Sequence, residues 1–89
     1  MDYRIYKYTL EIPYNHIVEM PQDAQILSVA NQDGNLCLWA MEDVDRPSAP
    51  RLIETIGTGH PVVQNMGVER RFIGTVLINQ FVWHVFERT

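Results

Sequence analysis

The sequence predicts an all-β domain, mainly antiparallel, folded as a small β-sandwich or a partly closed barrel of five to seven short strands. Two observations carry this. Runs of β-branched and aromatic residues recur along the 89 residues, each bounded by Gly, Pro, Asn or Asp, the pattern of short strands joined by turns. Asp33-Gly34 and Asn79-Gln80 each separate two such runs and predict two hairpins, spanning 25–41 and 70–87.

The first strand is expected at 3–12. Tyr3, Ile5, Lys7 and Thr9 share one face; Arg4, Tyr6, Tyr8, Leu10 and Ile12 share the other, which reads as aromatic and mostly buried. Pro13 and Asn15 break it. Residues 16–20 form a short extended piece stopped by Pro21, because a residue before proline avoids helical geometry. Residues 25–32 alternate and pair with 35–41 across Asp33-Gly34, where both turn residues tolerate positive φ. Asp43, Asp45, Pro47, Ser48 and Pro50 make 42–50 a polar, proline-punctuated loop.

A strand resumes at 51–58 and ends in Gly57-Thr58-Gly59-His60-Pro61. Residues 62–69 lack a sustained helical stripe and hold Gly67, so a loop with one helical turn is expected there. The strand at 70–78 contains Gly74, a signal for a bulge or a close backbone approach. The last strand, 81–87, is apolar on both faces apart from His84. Such a strand is either central and covered on both sides or half of a subunit interface. Phe81, Trp83 and Val85 are the interface candidates, and Trp39 and Trp83 are both expected to be largely buried.

No repeat and no long linker divides the chain, so residues 1–89 form a single β domain. A domain of this size buries only about 60% of its unfolded surface. Cys37 is the only cysteine; beside Leu36 and Leu38 it reads as a small buried hydrophobe of a reducing compartment. Self-association is the remaining common way to stabilise so small a core, and a homo-oligomer is expected. The N-terminus has no apolar signal region, and no apolar run approaches the roughly 20 residues of a membrane span. A cytosolic protein without membrane contact is therefore expected.

The net charge of −4 argues against non-specific nucleic-acid binding. Its distribution is uneven. Residues 1–45 carry two cations against eight acids, or −6; residues 46–89 carry five against three, or +2, and all five cations are arginine. Arginine suits fixed bidentate contacts to carboxylate or phosphate. Either the two halves pair across the fold, or the arginines line a small anion site.

Gly57-Thr58-Gly59-His60 is the most suggestive segment. Two glycines bare the backbone, so N–H groups can approach an oxyanion; Thr58 adds a hydroxyl and His60 a donor. Arg70 and Arg71 follow in sequence, and because neighbours in a strand point to opposite faces, at most one faces the loop. The segment is neither a P-loop nor a dinucleotide fingerprint. It is a candidate anion site or a tight bend locked by Pro61. His16, His60 and His84 have no metal-ligand spacing, so neither a metal nor a cofactor is expected. Ser28 and Ser48 lie in no nucleophile motif, no catalytic residue is assigned, and the chain reads as non-enzymatic. An exposed Trp or Tyr beside an arginine would stack a nucleobase.

The segments RIYKYTLEIP (4–13), VEMP (18–21), ILSV (26–29), LCLWA (36–40), GTGHP (57–61), FIGTV (72–76) and VWHVFE (82–87) resemble a family of small uncharacterised proteins of tailed bacteriophages and prophages. The resemblance implies a viral accessory protein made in the cytoplasm of an infected bacterium. It also implies action by binding: sequestering a nucleotide signal of a host defence, or blocking a host protein. Two readings follow: an oligomeric sponge for a phosphorylated or nucleotide-like ligand, and a protein inhibitor that docks through the acidic N-terminal half.

Overall fold

A computed structural model describes residues 2–12, 15–64 and 69–89. The described residues form seven antiparallel strands: β1 (Tyr3–Leu10), β2 (His16–Pro21), β3 (Gln25–Gln32), β4 (Asn35–Asp43), β5 (Ser48–Gly57), β6 (Arg70–Ile78) and β7 (Phe81–Arg88). They build two sheets, ordered β1-β4-β3 and β2-β5-β7-β6. The architecture is a small all-β sandwich, without barrel closure.

Both predicted hairpins form. Asp33 and Gly34 take φ of 53° and 85°, the positive values that a two-residue hairpin turn needs. The Gly34 N–H also donates to Asn31 Oδ1 at 2.8 Å. Asn79 turns the second hairpin at φ 56°.

The inner faces of the two sheets share one core, in which Met20, Leu36, Leu38, Ile53 and Val85 are fully buried and Trp83 nearly so. The sheets join along β3 and β6. Asn31 Nδ2 donates to the Leu77 carbonyl at 3.1 Å across this seam. Gly74 marks both features its position suggested. The β6–β7 register shifts between Phe72 and Gly74, and a Cβ on Gly74 would come within 2.9 Å of Val29 Cγ2.

Some expectations need correction or refinement. The aromatic face of the first strand is not mostly buried. Arg4 and Tyr6 are exposed, while Tyr8, Leu10 and Ile12 reach the core, because β1 is an edge strand paired to β4 alone. Trp39 is partly buried on the outer face of the smaller sheet, whereas Trp83 is buried in the core. The proline-punctuated segment 42–50 is mostly strand, since β4 runs to Asp43 and β5 starts at Ser48. Pro50 is tolerated because it pairs with Glu19 of β2, whereas β7 joins β5 only from Leu52 onward; its missing N–H breaks no second ladder. Residues 62–64 and 69 are loop, as expected; the helical turn expected within 62–69 concerns 65–68, outside the described residues.

Strand β7 is central in its sheet, flanked by β5 and β6. Trp83, Val85 and Glu87 point inward, and Val82, His84, Phe86 and Arg88 point outward and are half-buried.

Candidate functional site

The candidate site lies where β5 runs out. Gly57 pairs with Trp83, the last rung of the β5–β7 ladder. The Thr58 N–H donates to the Val82 carbonyl at 3.1 Å and the His60 N–H to the Gly57 carbonyl at 3.0 Å. Gly59 takes φ 84° to complete the bend. Two of the amides that would cradle an oxyanion are thus already spent within the fold. A cradle made of loop N–H groups is not what this segment builds.

The bend instead positions side chains. The His60 ring folds back over Gly57, where a Cβ would meet His60 Cε1 and Nδ1 at 2.7 Å. The ring meets Trp83 edge-to-face, with centroids 5.9 Å apart at 76°. On the outer face, Thr58 Oγ1 lies 2.7 Å from His84 Nε2, and Thr75 Oγ1 lies 3.1 Å from His84 Nδ1. Both ring nitrogens of His84 are therefore engaged, and the imidazole ties the bend to β6 and β7.

Arg70 and Arg71 diverge. Arg70 lies on the outer face and donates through Nε to Glu54 Oε1 at 2.6 Å. Its Nη2 donates to the Val63 carbonyl at 2.7 Å, which pins the following loop to the sheet. Arg71 lies on the other face, exposed, opposite Glu87 in register. Its side chain has no partner among the described residues, because Glu87 is held by Arg51 of β5 through a two-pronged ion pair.

A cavity of about 400 Å³ opens between this loop and the outer face of the larger sheet, with Asn15, Glu54, His60, Val63, Arg70 and Arg88 on its walls. The Arg70–Glu54 pair cancels its own charge. Arg88 is half-buried and has no partner among the described residues, so its full positive charge is left facing the cavity. On the other side of His60 lies a smaller pocket of about 260 Å³, lined by Gly57, Thr58, His60, Phe81, Val82 and Trp83. Trp83 Nε1 is buried without a hydrogen-bond partner among the described residues. An unmet buried donor typically costs about 1–3 kcal/mol.

The fold thus brings His60 and Arg70 to one cavity, and Gly57, Thr58 and His60 to a second pocket; Gly59 shapes the bend and Arg71 lies away from both. Of the interface candidates, Trp83 and Val85 are inside the sandwich core, and Phe81 alone is at the surface, 59% exposed. Trp83 and Val85 cannot form a subunit contact in this fold, because their face of β7 is turned toward the smaller sheet. Sequence reasoning missed Arg88 and Glu54. The available signal was their registry: Glu54 pairs with Phe86 and Arg70 with Arg88, which puts all three charged groups on one face once the pairing is known.

Among the described residues, no group of three or more His, Cys, Asp or Glu side chains could hold a metal ion. No helix among the described residues is long and apolar enough to cross a membrane. No curated protein and no solved structure matches the chain. The model of a domain of unknown function, DUF7352, matches residues 1–89, and the chain belongs to that family.

Proposed function

We propose that this protein is a non-enzymatic binder that sequesters a small phosphorylated ligand in the cavity beneath the 58–64 loop. One observation carries the reading: Arg88 lines the cavity with no partner for its charge among the described residues, beside an Arg70 already balanced by Glu54. A cation already committed to an internal carboxylate holds structure, whereas an unmatched one attracts an anion. The neighbouring imidazole of His60 and amide of Asn15 add donors. Such a set suits a phosphate group, and nothing in it activates a nucleophile.

The resemblance to small phage and prophage proteins supports an accessory role in the cytoplasm of an infected bacterium, where removing a phosphorylated signal would blunt a host defence. Phe72 and Leu77, on the outer face of β6, are 57% and 58% exposed, which favours the homo-oligomeric part of the reading. Docking through the acidic half draws less support. Asp2 and Asp23 sit in surface ion pairs with Arg4 and Arg46, and Glu42 is buried.

Calorimetry with inorganic phosphate and a set of phosphorylated metabolites tests the proposal. Arg88→Ala should weaken the binding about 10- to 150-fold, the worth of one charge-assisted contact, and Arg71→Ala should leave it intact. Equal affinity in wild type and Arg88→Ala, or no binding of any phosphorylated compound, would overturn it.

A further inference from the structure

The two hollows share a wall. His60 lines both the arginine-bearing cavity and the smaller pocket, which is bounded by Phe81 and Trp83. The first hollow offers an unmatched cation; the second offers aromatic rings and no ionisable group besides His60 itself. We infer that the smaller pocket is a subsite for the planar ring of a nucleotide whose phosphate occupies the first cavity, with His60 standing between them. This rests on the anion reading of the first cavity and adds the chemical class of the ligand.

Two features of the pocket favour a planar ring. Phe81 is an exposed ring in a chain that buries its larger neighbour Trp83, and a free aromatic face is a sequence-tolerant platform for a base. Gly57 contributes no side chain, and its place is filled by the His60 ring, a group on an exposed bend able to swing aside. Trp83 forms part of the pocket wall, so its indole emission reports on an occupant.

The chain has two tryptophans, so Trp39→Phe, on the far sheet, leaves Trp83 as the only reporter. In that variant, adenosine and cytidine should change the Trp83 emission saturably, and the corresponding monophosphates should bind at least tenfold more tightly than either the nucleoside or inorganic phosphate. Phe81→Ala should abolish the nucleoside response while leaving phosphate affinity unchanged; Arg88→Ala should do the reverse. Phe81 is a surface residue, so the variant stays folded, which its circular dichroism checks. Phosphate binding without any nucleoside response overturns this inference and leaves the anion reading standing. Nucleoside binding without phosphate binding overturns the anion reading instead. If Phe81→Ala changes the sedimentation of the protein and not its nucleoside response, Phe81 is a subunit contact and the subsite does not exist.

Discussion

Arg70 and Glu54 meet at 2.6 Å with side chains only 10% and 7% exposed. They lie on the outer face of a sheet, where charged residues are usually solvated. The segment after the Gly57 bend makes the difference, because Val63 receives the other end of the same guanidinium. One arginine therefore neutralises a buried carboxylate and anchors the roof of the cavity.

Arg70→Ala should destabilise the protein by about 3–5 kcal/mol, since it strands Glu54 as an unpaired buried charge. Replacing both partners with apolar residues, Arg70→Met with Glu54→Leu, should recover most of that loss. Urea unfolding of the single and double variants checks this. Equal losses in both would mean that the loop anchor, and not the buried charge, dominates.

Gly57 and Gly59 are two residues apart, yet alanine should act differently at each. Gly59 sits at φ 84° with open space where a Cβ would go, so Gly59→Ala pays only left-handed strain, about 1–2 kcal/mol. Gly57→Ala drives a methyl into the His60 ring. The expected sign is a cost that disappears when His60 is also alanine, a coupling that a double-mutant cycle resolves. Additive losses would show that the ring does not rest on Gly57 in solution.

Tyr8 donates to Glu42 Oε2 at 2.6 Å on the inner face of the smaller sheet. Burial first, and then this hydrogen bond, hold the Tyr8 phenol above its ordinary value. A raised phenol contributes stability that is whole below the unfolded value of about 10 and is lost as pH rises above it. Thermal melts should therefore decline as pH rises above about 10, and Tyr8→Phe should flatten that limb. The same variant should cost about 1–3 kcal/mol at neutral pH, because the buried Glu42 loses its donor. An unchanged alkaline limb in Tyr8→Phe would assign the decline to other groups.

The strands were legible because their signals are local. Asp33-Gly34 fixes a hairpin with two residues, and Gly74 announced both the bulge and the close approach to Val29. What was not legible depends on pairing between distant segments. Tyr6 and Tyr8 are equivalent in an alternating pattern; an edge position leaves one exposed and packs the other. Trp83 and Val85 read as surface or core with equal ease until β7 is known to lie between β5 and β6. The charged cavity failed to show for the same reason. Glu54, Arg70 and Arg88 are far apart in sequence and meet only through two ladders. The loop N–H groups of Thr58 and His60 looked available because their acceptors, Val82 and Gly57, are set by the fold.

The sheet order has a consequence for how the chain can be divided. The smaller sheet comes entirely from residues before the 44–47 turn, and the larger one from residues after it, except for β2, which leaves its own half to pair with β5. One strand of six residues is thus the latch between two pieces of opposite net charge. Cut at that turn, the pieces should find each other again: each lacks what the other presents, a free β5 edge on one side and an orphan β2 on the other. Co-expressed halves bearing split reporter fragments should reassemble, and removing β2's complementarity with a proline at Val18 should abolish that reassembly while sparing each hairpin.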